Sequence, residues 1–450
     1  MQERNFTRGK ILGPLLMFML PVFFAMFLQS MYGAVDLLIV GHFGESADVS
    51  AVSTGSQIMM TLTGLIGSFA MGTTILLARR IGEGRSREGG DVIGSSICLF
   101  AVIAAVFTAL LPLLSHPLAR VMQAPEEAFS QTVSYLRICG LGSLFIISYN
   151  LIGSIFRGIG DSRTPLLTVI ISTFTNILGD LLLVAVFHMG AAGAALATVF
   201  AQAVSVILSL LIICRRELPF TLTKRQLRFR GDILRQSSRL GIPIALQDFL
   251  VGISFSVILA IVNSLGLVFS AGVGVGQRVC GFIMLIPLSF MQAMSAFVAQ
   301  NMGAGLYDRA RRSLGYTILV SVAVSVVMFY LGFWHGNVLA GIFSRDPEVI
   351  SAAAQYLKAY SVDCLLTCFL FCFIGFFNGL GRTRFVMLQG IVGAFLVRVP
   401  LSYLMSRITP PSLVYIGLAT PASTLVQVIL CGIAFFLINR KYAKPDTASH

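Results

Sequence analysis

The sequence predicts an all-α membrane protein: twelve transmembrane helices in two parallel six-helix repeats around a central cleft. Three observations lead there. Of 450 residues, 56% are hydrophobic and only 11% charged, more apolar surface than a soluble domain of this length can hide. The apolar residues fall in runs of about 20 or more, long enough to cross roughly 30 Å of hydrocarbon. Short landmarks from the first half of the chain return, in order, in the second.

The runs are centred on residues 14–40, 49–78, 92–115, 131–156, 165–187, 191–214, 241–263, 272–299, 314–333, 351–377, 385–406 and 415–438. None has the short alternating pattern of an outer-membrane strand. The first lacks a small-residue cleavage pattern and is too long for a signal peptide, so it reads as a true span.

The net charge of +13 is explained by where the basic residues lie. Arg4, Arg8 and Lys10, Arg79, Arg80, Arg85 and Arg87, Arg157 and Arg163, the 215–240 segment, Arg309, Arg311 and Arg312, Arg382 and Arg384, and Arg440, Lys441 and Lys444 fall on one side. The opposite loops hold Arg120, Arg345 and Arg407. This positive-inside pattern predicts cytoplasmic termini and a cytoplasmic 215–240 linker. Headgroups and solvent account for the basic excess, and no nucleic-acid partner is expected. Arg137 and Lys358 sit near outer span ends and are expected to snorkel. Trp334 reads as an interfacial anchor.

The eight cysteines lie mostly within spans, which excludes a secreted disulfide framework. Cys364, Cys368 and Cys372 share a helical face and read as small packing residues rather than a thiolate metal site. The Gly-x-Gly pairs at Gly82/Gly84, Gly158/Gly160, Gly303/Gly305 and Gly379/Gly381 follow membrane helices, not strands. They are helix-ending turns rather than nucleotide loops. No Walker motif, His-Cys metal cluster or serine nucleophile elbow occurs, so neither ATP hydrolysis nor enzymatic chemistry has visible machinery, and no cofactor is expected.

The repeat has an offset of about 221 residues. Pro21 returns as Pro243 and Gly44 as Gly266. "ARRIGEG" (78–84) returns as "AQNMGAG" (299–305), "SYLRI" (134–138) as "QYLKA" (355–359), "FRGIGDSRT" (156–164) as "FNGLGRTRF" (377–385), and "LAT" (196–198) at 418–420. The expected organisation is an N-terminal lobe at 1–214, a linker at 215–240 and a C-terminal lobe at 241–450. Six spans per half keep both copies in the same orientation, and parallel repeats of this kind leave a transport cleft between lobes.

Ionisable residues inside the spans are the sharpest functional signal. In the first half these are Asp36 in span 1 and Asp180 in span 5, with Asn176 one turn from Asp180 and Thr198 in span 6. At 1.5 Å per residue the two acids and Thr198 lie about 6–11 Å below the outer boundary, so three helices offer oxygen groups at one level. Two carboxylates in one dry site do not both stay ionised without help, and a captured proton or a small hard cation such as sodium relieves the charge. Locking of helices by a polar contact is the alternative. Pro21, in the body of span 1, permits a kink below Asp36.

The second half does not repeat this set. Asp36 aligns with Ile258, Asp180 with Leu401 or Ser402, and Asn176 with Val397 or Arg398; Thr198 keeps Thr420. Instead the second half carries Asp248, Arg278, Asp363 and Arg398, candidate substrate-cavity residues, of which Arg278 and Asp363 are placed to pair.

Twelve spans in two parallel halves, "AQNMGAG" after span 8, and the paired "GIGDSRT"/"GLGRTR" turns resemble the multidrug and toxic compound extrusion (MATE) family over essentially the whole chain. Pro21, Asp36, Asn176, Asp180 and Thr198 resemble the first-lobe cation site of its DinF-like branch in type and spacing. The resemblance implies proton or sodium binding at these positions, bending of span 1 at its proline, and efflux of organic, often cationic, compounds. The NorM-like branch has an acid in span 7 where this chain has Val251, so its second-lobe sodium site is not expected here. The function expected is a secondary antiporter, monomeric in the bilayer, that exports small organic molecules. A lipid-linked glycan flippase is the alternative, for which Arg278 and Arg398 are a thin supply of phosphate-binding charge.

Overall fold

The computed structural model describes residues 6–215, 220 and 223–443. The described residues form helices and turns, with no strand. The first half comprises α1 (Leu12–Phe43), α2 (Ser46–Gly82), α3 (Ser86–Val121), α4 (Glu126–Leu141), α5 (Ser143–Gly158), α6 (Arg163–Asp180) and α7 (Gly190–Arg215). The second comprises α8 (Gly231–Asn263), α9 (Leu267–Gly303), α10 (Tyr307–Trp334), the short α11 (Gly336–Gly341), α12 (Pro347–Gly379), α13 (Thr383–Ile391), α14 (Val399–Ser406), α15 (Leu413–Gly417) and α16 (Ala419–Ala443). Eleven helical stretches are each long and apolar enough to cross a bilayer; a bent pair, α4 and α5, makes the twelfth.

That pair is the span expected over 131–156, with a break near its middle. The helix breaks at Gly142 with a bend of 56°. A Cβ on Gly142 would lie 2.4 Å from a Val199 methyl carbon, so glycine is the residue that lets α7 approach the break. The corresponding helix of the second half, α12, runs unbroken.

Each Gly-x-Gly pair closes a helix, at the ends of α2, α5, α9 and α12. The second glycines, Gly84, Gly160, Gly305 and Gly381, take φ of +70°, +83°, +73° and +77°. The residue after each donates its N–H five carbonyls back: Arg85 to Arg80, Asp161 to Phe156, Leu306 to Asn301 and Arg382 to Phe377. This left-handed cap satisfies carbonyls that the helix end leaves free.

The chain divides into two compact units. One contains Met17–Ala245; the other contains Phe6–Leu16 together with the residues from Leu246 onward. The leading segments of α1 and α8 therefore each group with the unit that the rest of their helix leaves. In the first unit, Gly72 lies so close to Ser237 and Gly241 at the start of α8 that a Cβ there would meet backbone at 2.5 Å. Thr73 and Ser237 share a hydroxyl contact of 3.3 Å. In the second unit, the Phe6 N–H donates to Gln300 Oε1 at 3.0 Å and Asn301 Nδ2 donates to the Phe6 carbonyl. The Arg309 guanidinium donates to the carbonyls of Phe6, Arg8, Gly9 and Lys10. The "AQN" of the second-half landmark thus docks the N-terminal segment. Arg80, at the matching place in the first, reaches Glu83, Glu88 and Gln236.

Both cores are built on close helix approach. In the first unit α7 presents Ala191, Ala194, Ala195, Ala197 and Ala201 to its neighbours, and Ala197 lies against Gly179 of α6. With no water-driven gain between helices in lipid, small residues that bring backbones together supply dispersion contacts instead. In the second unit α12 is the central helix, packed on α9, α10 and α16.

Candidate functional site

Three helices of the first unit deliver the predicted residues to one place. α1 carries Asp36, α6 carries Asn176 and Asp180, and α7 carries Thr198. Asp36 is 2% exposed, Asn176 and Asp180 fully buried. α1 runs on to Phe43 and six residues in π-helical form, Leu181–Val186, follow Asp180. The acids and Thr198 therefore lie at closely matched depth, about 10 Å from their outer helix ends.

Thr198 Oγ1 donates to Asp36 Oδ2 at 3.2 Å. Asp180 and Asn176 face the same carboxyl group. Two carboxylates offer each other no donor, and the result is a concentration of unsatisfied atoms: Asp36 Oδ1, both Asp180 oxygens, and both amide atoms of Asn176 have no hydrogen-bond partner. A buried polar atom without a partner costs about 1–3 kcal/mol, more when charged. Five such atoms cluster on Asp36, Asn176 and Asp180. The oxygen set of two carboxylates, an amide and a hydroxyl suits a proton shared between the acids or a small hard cation.

The surroundings hold the donors in place. Ser172 Oγ on α6 donates to the Ala201 carbonyl of α7 at 2.8 Å. Tyr32, one turn before Asp36, directs its hydroxyl to the Val169 carbonyl. The π turn after Asp180 widens the helix by one residue per turn, a feature concentrated at functional sites. Beyond it, Asp48 Oδ1 accepts the Ala191 N–H at 2.9 Å, fixing the start of α7 to α2. On α4, Tyr135 lies near both acids and Cys139 near Asp36. Tyr135 fits because α2 has Gly55 there: a Cβ would stand 2.4 Å from its ring. Neither was singled out from the sequence as a site residue. The available signal was the recurrence of Tyr135 as Tyr356 within the "SYLRI"/"QYLKA" pair. Pro21 lies within α1, which remains helical through it.

The second-half candidates separate into inward and outward pairs. Asp363 and Arg398 are 3% and 5% exposed. Asp248 lies on the exposed side of α8 and Arg278 on the exposed side of α9. The expected Arg278–Asp363 pairing does not form. The core-facing positions of α9 are Gly276, Val279 and Cys280, and Arg278 falls out of phase with them. The charged neighbour of Asp363 is Arg398. Arg398 Nη1 donates to Ser254 Oγ at 3.2 Å, and its guanidinium lies 4.4 Å from the ring centroid of Phe255. Thr367 Oγ1 donates to Asp363 Oδ2 at 2.9 Å. Arg137 and Lys358 are exposed. Trp334 joins Phe329, Tyr330 and Phe333 in an aromatic group at the end of α10. Cys364, Cys368 and Cys372 are buried free thiols.

Comparison with known proteins matches this architecture. The MatE family model matches twice, over residues 21–182 and 243–404. The chain is 26% identical to the probable multidrug resistance protein YpnP of Bacillus subtilis, covering 90% of this chain and 91% of that one. It is 25% identical to the multidrug export protein MepA of Staphylococcus saprophyticus, covering 86% of each. Among solved structures, an outward-facing multidrug resistance MATE transporter of the MOP superfamily superposes with a TM-score of 0.92 at 19% identity, covering 99% of each chain. The two matched segments contain Pro21, Asp36, Asn176 and Asp180 in the first copy and Asp363 and Arg398 in the second. With its twelve-span, twice-repeated fold, the chain belongs to the MatE family of multidrug and toxic compound extrusion transporters, and is a membrane transporter rather than an enzyme.

Proposed function

We propose that this transporter is a secondary efflux antiporter that exports organic, cationic amphipathic compounds in exchange for protons or sodium, with Asp36, Asn176, Asp180 and Thr198 as the coupling site. The observation that carries the reading is the set of unpartnered buried oxygens at Asp36, Asn176 and Asp180, acceptors that an exchangeable cation would engage. The names of YpnP and MepA support drug-like cargo. The distribution of Lys and Arg supports cytoplasmic termini in a bacterial plasma membrane. All four donors come from one lobe of one chain, which supports a monomeric carrier.

In this scheme cargo leaves on the outer side. A cation then binds between Asp36 and Asp180 and favours return of the empty carrier to the inward-open state, with α1 bending at Pro21. Coupling needs only that the ion prefer one conformation by a few kcal/mol. The test is efflux of a dye cation from loaded vesicles under a pH gradient and a sodium gradient imposed separately. At least one gradient drives efflux in the native protein, and neither does in a folded Asp36→Asn variant. Native-rate efflux in that variant removes Asp36 from the mechanism.

A further inference from the structure

The second repeat contains a structural counterpart of the acid site, and a side chain fills it. Burial resolves the register that the sequence left open. The core-facing positions of α6 include Ser172, Asn176 and Asp180; about 222 residues on, by the two matched segments, Ala394, Arg398 and Ser402 are buried, while Val397 and Leu401 are only half-buried. Arg398 thus stands where Asn176 does, and Ser402 where Asp180 does.

The supporting geometry repeats as well. The same two helices are tied by a serine in each copy, with the donor on opposite sides: Ser172 Oγ of α6 donates to the Ala201 carbonyl in the first, and Ser423 Oγ of α16, at the place of Ala201, donates back to the Gly393 carbonyl at 2.7 Å in the second. Tyr356 occupies the place of Tyr135, and again a glycine admits the ring: a Cβ on Gly276 would lie 2.7 Å from it. Thr420, the counterpart of Thr198, is buried.

What differs is the charge. Ile258 replaces Asp36 and is buried, so the acid of α1 has no equivalent on α8. A carboxylate is supplied instead by Asp363 of α12, with one oxygen, Oδ1, left without a hydrogen bond. The titratable groups facing it are Arg398, Tyr356, Tyr360, Cys280, Cys364 and Cys368. Only Arg398 brings positive charge. A guanidinium keeps its proton throughout the physiological range, and this one is anchored by Ser254 and Phe255. It neutralises the second chamber permanently, as a bound ion does the first only while it stays.

We propose that Arg398 is a tethered cation, occupying the second repeat's copy of the ion site so that only the first repeat exchanges an ion with solvent. Resting on the reading of Asp36 and Asp180 as the coupling pair, this makes Arg398 a determinant of ion stoichiometry. Removal of its charge uncovers a latent monovalent-cation site at Asp363, with the hydroxyls of Thr367 and Thr424 at hand.

The test uses the full-length protein, purified in detergent, with melting temperature followed against sodium chloride, against choline chloride as the ionic-strength control, and against pH. In an Asp36→Asn/Asp180→Asn background the first site is disabled and the melting temperature is indifferent to sodium and to mild acid. Adding Arg398→Asn to that background is expected to restore a rise of about 2–5 °C on adding sodium or on acidification. Adding Asp363→Asn as well is expected to remove it. A flat response in the Arg398→Asn protein, or a response that survives Asp363→Asn, overturns the proposal. Should Arg398→Asn alone not fold, the Arg398→Asn/Asp363→Asn pair in the otherwise native chain decides, because removing both buried charges together avoids an orphaned ion. Its ion concentration for half-maximal stabilisation equals that of the native protein if the second chamber takes no ion, and a shift overturns the proposal. A native protein whose stability ignores both ions would instead refute the first-lobe coupling site.

Discussion

The Thr198 hydroxyl donates to Asp36 Oδ2 across 3.2 Å between α7 and α1. It ties the acid to a neighbouring helix without neutralising it. Replacement by valine keeps the shape and removes the bond. A hydrogen bond to a charged group contributes about 1.5–3 kcal/mol, so ion-driven efflux in Thr198→Val should fall by about tenfold or more, with Thr198→Ser near native. Dye efflux under a saturating gradient reads the difference; equal rates in the valine and native proteins would show the bond to be irrelevant to coupling.

Asp180 carries two buried oxygens with no donor, and it faces Asp36. Replacing it by asparagine removes one of two facing acids while keeping a group that can hydrogen-bond to Asp36. Asp180→Asn should therefore fold with equal or greater thermal stability at neutral pH, by about 1–3 kcal/mol, while losing transport. Melting curves beside vesicle efflux give both signs in one preparation. A variant that melts well below the native protein would mean that Asp180 is a structural partner after all.

The break between α4 and α5 depends on a missing side chain. Gly142→Ala places a methyl group 2.4 Å from Val199, and overpacking of this kind costs about 1–3 kcal/mol. Trimming the opposing residue should restore much of the loss, so the Gly142→Ala/Val199→Ala pair is expected to melt above Gly142→Ala alone. Additive losses in the two variants would place the defect in the backbone of the bend rather than in this contact.

Arg309 gathers the carbonyls of Phe6, Arg8, Gly9 and Lys10. A lysine keeps the charge but offers one point donor in place of a planar fork. Arg309→Lys should leave the first residues more open to protease by several-fold, and Arg309→Ala further still, without altering cleavage elsewhere. Limited proteolysis with N-terminal sequencing of fragments tests this, and unchanged cleavage would show that Phe6, Gln300 and Asn301 hold the segment alone.

The spans and the first-lobe donors were legible because lipid imposes strong rules. A helix must be about 20 apolar residues long to cross, and an acid inside it needs a reason. Asp36, Asn176, Asp180 and Thr198 stood out against an apolar background, and simple rise per residue placed the two acids and Thr198 at one level, with Asn176 one turn deeper. The break at Gly142 did not stand out, since the glycine lies within an apolar run and its necessity comes from Val199, far along the chain. Pairing in the second half was misjudged for a related reason. Depth alone put Arg278 level with Asp363, but depth does not report which way a residue faces around its helix. The π-helical stretch Val392–Arg398 shifts the register that would have distinguished Arg398 from Val397. Tyr135 was visible only as half of a repeated pair, with no charge to mark it.

The leading segments of α1 and α8 each fold with the other repeat. If the halves descend from one duplicated gene, their single-repeat ancestor was an interlocked homodimer in which each chain lent its first residues to its twin, an arrangement known as domain swapping. Fusion of the two copies would then have preserved an exchange already in place, and a modern chain cut between α7 and α8 would yield two fragments, each lacking a piece that the other carries.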